Sequence, residues 1–208
     1  MKATDILESE HRVIEQVLEC LEKMADSSEE SKRLDCDAAR DMIDFFRGFA
    51  DRSHHAKEEQ HLFVLLEALG MPRDGGPTGV MLAEHEMGRS LVGKMETAVV
   101  AFEHGNAAVL KDFLTAARAY IPLLREHIEK EDHCLFAMAN ENLSSEQQEK
   151  LLRAFRAEEL AISKDVGLDF YTQKARALAE RFQVKSQQVE AEAPVSCGHH
   201  ESGGCCGH

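Results

Sequence analysis

The chain has 208 residues, of which 43 % are hydrophobic and 30 % charged, and its formal net charge is −14 at pH 7. Such acidity argues against nucleic acid or an anionic membrane as a partner. The N-terminal stretch lacks the apolar run of a signal peptide, and no window approaches the ~20 apolar residues of a membrane span. A cytoplasmic protein is therefore expected. The six cysteines are scattered or crowded near the end, which is not typical of a disulfide framework.

Helical periodicity extends through the chain, and no segment alternates like a strand. It predicts helices at about residues 4–25, 36–69, 78–103, 107–139 and 144–161, and a last one ending near residue 184. We expect Thr4 to cap the first helix and Gly70 to end the second. Pro122 predicts a kink or a break in the fourth helix. The "SSEQ" that begins at Ser144 is a capping-box pattern for the fifth.

Four long helices with short connections predict an all-α, up-down-up-down antiparallel four-helix bundle over residues 1–140. Residues 141–184 are expected to form additional C-terminal helices packed on that bundle, and residues 185–208 a flexible linker and a Cys/His-rich tail. The last twelve residues, "CGHHESGGCCGH", hold three cysteines and three histidines. These ligands favour an additional Zn, Ni, Cu(I) or ferrous ion. The spacing matches no defined zinc module, so a tail without a specific metal is the alternative.

One arrangement of residues occurs twice, as SHHAKEEQHLF at residues 53–63 and as REHIEKEDHCLF at residues 125–136. When the two stretches are aligned on their Leu-Phe pairs, His54 falls on His127 and Glu58 falls on Glu131. Each copy is thus His-x-x-x-Glu, with its two side chains one helical turn apart on the same face. The second and fourth helices of an up-down bundle run parallel, so both pairs can point inward at a common level.

The other two helices of the predicted bundle each add a histidine. His11 lies within the apolar stripe of the first helix, and His85 lies in "MLAEHEMG" of the third. Four imidazoles and two carboxylates without a thiolate favour iron or manganese over a structural zinc ion. Carboxylates on facing helices can bridge two metal ions and offset their charge in an apolar core. An arrangement without metal is disfavoured, because burying so many polar groups would be costly.

A rival His-x-x-x-Glu pair, His55 and Glu59, is rotated by about 100° from the first pair on an α-helix. The repeat argues against it, because His55 aligns with Ile128. We therefore expect His55 to flank the ligands or to support them from outside. Its replacement by alanine should largely spare the site.

The pattern H…HxxxE…EH…HxxxE, with KEExxLF-type endings on the second and fourth helices, resembles the hemerythrin-like (HHE cation-binding) family over about residues 1–140. The resemblance implies a four-helix bundle with two non-haem iron ions, bridged by two carboxylates and an oxo or hydroxo group. The metal ligands that it implies are His11, His54, Glu58, His85, His127 and Glu131.

The chain departs from the oxygen-carrying members of that family at two places. Those members have a second histidine one turn beyond the helix-three histidine, where this chain has Arg89. They also place the helix-four carboxylate five residues after its histidine, which would select Asp132. The missing histidine leaves a coordination position for water, Glu15 or a substrate.

The resemblance implies a protein that binds or reacts with a small diatomic or peroxidic ligand, namely O2, NO or peroxide. Two alternatives stay open: iron storage or donation for iron–sulfur cluster repair, and an iron or oxygen sensor. Whether the protein is an enzyme, which redox partner it uses and which oligomer it forms also stay open.

Overall fold

The computed structural model describes residues 1–162 and 168–185, which form six helices and no strand. The predicted all-α class is confirmed for these residues, whereas the predicted tail lies outside them. The bounds are α1, Ala3–Ser31; α2, made of Cys36–Phe45, Phe46–His55, Glu58–Leu62 and Phe63–Ala68; α3, Pro77–Glu103; α4, made of Leu110–Lys130, Glu131–Leu135 and Phe136–Asn142; α5, Ser145–Ile162; and α6, Leu168–Phe182. A short 3₁₀ turn, Ala107–Val109, precedes α4.

The first helix is longer than predicted at both ends. It begins at Ala3, before the expected cap Thr4, and the backbone N–H of Lys2 donates to Asp5 Oδ2 at 2.7 Å. Thr4 is instead buried within the helix, where its hydroxyl donates to Asn140 Oδ1 at 3.0 Å. At the other end the helix continues to Ser31. Apolar periodicity could not show this extension, because residues 26–31 are all polar.

Two boundary signals are confirmed. Gly70 follows the end of α2 with a φ of 99°, a left-handed conformation that glycine adopts without strain. The capping box of α5 is complete, since Ser144 N donates to Gln147 Oε1 at 2.8 Å and Gln147 N donates to Ser144 Oγ at 3.3 Å. These local motifs specify helix ends without help from tertiary packing.

The break predicted at Pro122 is not observed, because the α-helical segment Leu110–Lys130 runs through it. Ile121 and Leu124 are buried beside the proline, and their packing holds the segment in the core. The departure from α-helical winding comes later, at Glu131–Leu135, which is a π-helical turn.

Wide π-helical turns are a feature of both motif copies. In α2 they cover Phe46–His55 and Glu58–Leu62, and in α4 they cover Glu131–Leu135. The turns that begin at Glu58 and at Glu131 occupy equivalent positions in the two copies. A π-helix bonds residue i to i+5, so successive side chains are rotated by less than in an α-helix, and such turns occur frequently at functional sites. The periodicity used for prediction assumes α-helical winding and cannot reveal them.

Two apolar clusters form the core, and the predicted ligands lie between them along each of the first four helices. We call the cluster that contains Leu7 the outer cluster and the one that contains Leu18 the inner cluster. The order is outer, ligand, inner in α1 and α3, but inner, ligand, outer in α2 and α4. The residues that flank the ligands in this way are Leu7 and Ile14, Ala50 and Leu62, Met81 and Val92, and Leu124 and Leu135.

The two C-terminal helices pack against this assembly. Helix α5 contacts α1 and the Glu58–Leu62 turn, and α6 contacts α1 and α2. Tyr171 of α6 lies so close to Gly48 that a methyl group there would be 1.9 Å from its hydroxyl oxygen. Glycine at this position therefore permits the close approach of α6. Among the described residues, no helix combines the length and the apolar character needed to cross a membrane.

Candidate metal centre

The structure brings the six predicted ligand side chains together in the layer between the apolar clusters. Each of these six residues exposes at most 1 % of its surface. Together with His55 they form two groups whose ligand atoms lie within 4.8 Å of one another. The His11 group consists of His11, His54, Glu58 and Glu131, and the His85 group consists of His55, Glu58, His85 and His127.

The two carboxylates connect the two groups. Glu58 Oε1 lies 3.4 Å from His54 Nε2, and its other oxygen lies 3.6 Å from His85 Nε2. Glu131 Oε2 lies 3.3 Å from the Nε2 atoms of both His11 and His127. Each carboxylate therefore touches a histidine of both groups, which is the position that a bridging ligand must occupy.

The polar atoms of this layer lack protein partners that could satisfy them. None of the four oxygens of Glu58 and Glu131 accepts a hydrogen bond from the described part of the chain. A buried carboxylate without a donor is strongly unfavourable, and bound cations remove that penalty. The histidine nitrogens face each other as well, with Nε2 atoms 2.9 Å apart between His11 and His54 and 3.1 Å apart between His85 and His127. This donor set fits two metal ions.

A carboxylate from another helix holds the outer ring nitrogen of each of the four predicted histidine ligands. The Nδ1–oxygen distances are 2.7 Å for His11–Asp132, 3.0 Å for His54–Glu10, 2.6 Å for His85–Glu59 and 2.9 Å for His127–Glu84. When Nδ1 carries the proton and donates it to the carboxylate, Nε2 presents its lone pair to the centre. The carboxylates thus orient the rings and select the tautomer that binds metal.

A basic side chain then pairs with each of these carboxylates. The pairs are Asp132 with Arg12, Glu10 with Lys57, Glu59 with Arg89 and Glu84 with Lys130. The fully buried Lys57 also contacts Glu159 of α5 at 2.8 Å. This outer layer was not predicted from the sequence. The sequence does contain a signal for it, because each of the four acids is the immediate neighbour of a proposed ligand.

Burial controls the protonation of the centre. It lowers the pKa of His54 and of His85, which favours the neutral imidazole that binds metal. For His11 burial acts in the same direction, but the hydrogen bond that its Nδ1 donates to Asp132 and the negative charges of Glu131 and Asp132 outweigh it and raise the pKa to about 9. Burial, together with the facing charge of Glu131, raises the pKa of Glu58. A cation beside Glu58 would favour its ionised form.

The structure shows where three further residues near the proposed ligands lie, namely Asp132, Glu15 and His55. Asp132 binds the outer nitrogen of His11, and Glu15 pairs with Arg12 at 2.8 Å, so neither belongs to the two groups. His55, expected as a flanking residue, lies within the His85 group and stacks on His85 with ring centroids 3.8 Å apart. The alignment with Ile128, which argued against His55, does not carry over to the structure, because His55 ends a π-helical stretch whereas Ile128 lies in an α-helical one.

A cavity of about 240 Å³ lies against the His85 group. Its lining includes His55, His85 and His127 on one side and Val92 and Tyr120 on another. Charged side chains such as Asp51 and Arg89 also line it, so the cavity combines imidazole, apolar and charged walls and has room for a small ligand.

Comparison with known proteins agrees with this geometry. The family described as Hemerythrin HHE cation binding domain matches residues 2–139, which include every residue of the His11 and His85 groups. No curated protein and no solved structure matches the chain significantly.

Proposed function

The chain belongs to the hemerythrin HHE cation-binding domain family, and on that premise we propose that it holds two non-haem iron ions that bind or react with O2, NO or peroxide. The observation that carries the proposal is the set of four buried carboxylate oxygens that receive no hydrogen bond from the described residues, three of which lie within 3.6 Å of imidazole Nε2 atoms. Nitrogen and oxygen ligands without thiolate favour iron or manganese. Bound iron would supply an open coordination position and electrons for the small ligand.

The proposed ligands of one ion are His11 and His54, and those of the other are His85 and His127, with Glu58 and Glu131 shared. The division of these histidines and the sharing of Glu58 follow the two groups of ligand atoms, and the sharing of Glu131 follows its contacts with both His11 and His127. We propose that α1 to α4 form an up-down-up-down antiparallel bundle around them. The alternating order of the outer and inner clusters along the four helices supports that arrangement.

Protein groups hold the centre and limit access to it. The rings of Phe136 and Phe63 stack on His11 and His85 with centroid distances of 5.5 and 6.0 Å, so each group has an aromatic wall. The carboxylates on Nδ1 fix the imidazole orientation, and such contacts raise the basicity of the ligating nitrogen. The cavity beside His85 and His127 offers space for a diatomic or peroxidic molecule.

The test begins with anaerobic loading of ferrous iron and a count of the bound metal. We expect about two iron ions per chain, as the two ligand groups require. The visible spectrum is then followed after addition of O2, NO and peroxide in separate samples. A reversible band with O2 supports a carrier, and repeated consumption of NO or peroxide supports an enzyme. Binding of fewer than two ions, or no spectral response to any of the three, would overturn the proposal.

Iron donation is the second candidate, because a polar cavity of about 470 Å³ leads to Asp132, the carboxylate on His11. Three further carboxylates line it, from Glu15, Glu19 and Glu129. Basic side chains line it as well, from Arg12, Arg125 and Lys185, so the four carboxylates exceed the cations by one and would favour passage of a departing cation. The same loaded protein is mixed with a metal-free acceptor of iron–sulfur clusters. Transfer of both ions before any reaction with O2 supports donation, and retention of both ions argues against it.

A further inference from the structure

His55 is placed to act as an additional metal ligand. Its side chain offers a ligand atom within 4.8 Å of those of Glu58, His85 and His127, and only 6 % of its surface is exposed. The ring lies nearly parallel to that of His85, with an interplanar angle of 14°.

The orientation of His55 follows that of the four other histidines. Its Nδ1 atom points to Asp51, whose Oδ1 is 3.5 Å away. Asp51 is held in turn by Arg89, with Nε 2.8 Å and Nη2 2.7 Å from the same oxygen. The order of imidazole, carboxylate and basic side chain is the same as at each proposed histidine ligand, although the contact with Asp51 is longer than the hydrogen bonds there. Because Nδ1 faces Asp51, Nε2 is the nitrogen of His55 that lies on the side away from Asp51.

The backbone explains how adjacent histidines serve different groups. His54 belongs to the His11 group and His55 to the His85 group, and both end the π-helical stretch Phe46–His55. In a regular α-helix, neighbouring side chains diverge by about 100° and do not face a common site. The equivalent stretch of α4 is α-helical, and there the residue that aligns with His55 is Ile128, which packs in the inner cluster.

We propose that His55 is a third histidine ligand of the ion in the His85 group, so that this ion has three imidazole ligands and the other has two. The inference rests on the proposed two-iron function, since it assigns a ligand within that centre. Arg89, at the place where oxygen-carrying relatives have their second helix-three histidine, holds the carboxylate behind His55 instead.

The competing explanation is that His55 only packs against His85, and replacement by phenylalanine separates the two roles. His55→Phe keeps an aromatic ring for stacking but removes both nitrogens. His55→Gln, which keeps a polar side chain, serves as a second variant if the first loads poorly. His61→Ala is the matched control, because His61 is partly exposed, contacts Glu158 at 3.2 Å and lies outside both groups.

The readouts are the Mössbauer spectrum of the iron-loaded protein and the rate of iron loss to a chelator. For the wild type we expect two distinct iron environments. In His55→Phe and His55→Gln, one environment should change, and that ion should be lost at least about 10-fold faster, as weakened ligation predicts. The His61→Ala control should match the wild type in both measurements.

Two outcomes separate the proposals. If the wild type binds two ions and the His55 variants match it in spectrum and in chelator rate, the ligand role of His55 is wrong and the proposed function stands. If the wild type does not hold two iron ions, the proposed function fails and the assignment of His55 fails with it.

Discussion

The two copies of the motif, in α2 and α4, have the same ligands but different backbones. Both copies turn into a π-helix at the glutamate that we propose as a shared ligand, Glu58 in one and Glu131 in the other. Only the α2 copy also has a ten-residue π-helical stretch that runs into its motif, and that stretch ends with His54 and His55. A repeated sequence motif can therefore build a centre with unequal sides when one copy is wound differently.

The copies also differ in how their lysines are buried. Lys57 of α2 is inaccessible to solvent and lies between Glu10 and Glu159. Its counterpart Lys130 pairs with Glu84 but leaves 39 % of its side chain exposed. The α2 side of the centre is thus tied to the C-terminal helix α5, whereas the α4 side meets solvent.

The largest expected effect is the loss of bound iron when a shared carboxylate is removed. It should be equal for the two copies, because each copy supplies one of these carboxylates. Glu58→Ala and Glu131→Ala should each abolish stable binding of both ions, since each removes a ligand that touches both groups. Iron per chain after gel filtration measures this. Retention of one ion in either variant would show that the carboxylate serves a single group.

The free energy of unfolding should differ most clearly between a variant of Lys57 in α2 and a variant of its counterpart Lys130 in α4. Lys57→Met leaves Glu10 buried without its cation, and breaking a buried pair in this way costs about 3–5 kcal/mol. Lys130→Met breaks a partly exposed pair, for which about 0–1 kcal/mol is expected. Urea unfolding of the metal-free proteins gives both values. Equal losses of unfolding free energy in the two variants would mean that the burial of Lys57 does not make its ion pair more important for stability.

Arg89 allows a test of the carboxylates behind the His85 group. Arg89→Gln removes the partner of Asp51 and Glu59, the acids next to His55 and His85. Loss of such outer support typically lowers metal affinity by about 10–100-fold. Chelator competition should show weaker binding of one ion only. Equal weakening of both ions would argue that the two groups do not act separately.

The smallest predicted effect concerns the close approach of α6 to the π-helical stretch. Gly48→Ala would force Tyr171 to move, and overpacking of this kind costs about 1–3 kcal/mol. Gly93→Ala in α3 is the control, because no atom lies within 4 Å of the added methyl group. Alanine there should stabilise the helix by about 0.5–1 kcal/mol. Thermal unfolding should show a lower melting temperature for Gly48→Ala and a higher one for Gly93→Ala. Destabilisation by both variants would contradict the packing argument.

Sequence reasoning worked where a local pattern determines the outcome. The repeat of His-x-x-x-Glu selected side chains that the structure brings together, and "SSEQ" marked the start of α5. It did not find His55 as a member of the His85 group, because the alignment paired His55 with Ile128 as if both copies had the same winding, whereas only the stretch that ends at His55 is π-helical. Nor did it find the contact of Lys57 with Glu159, since these residues are 102 positions apart and meet only through the packing of α5.

That contact has a consequence for what counts as the smallest functional piece of this chain. The family match ends at residue 139, and a fragment cut there would keep every proposed ligand. It would lose α5 and with it Glu159, and so would open Lys57 to water. The family match therefore ends before α5, whereas the ion pairs that bury Lys57 extend into α5. The piece needed to keep Lys57 buried thus includes a helix that contributes no residue to either ligand group.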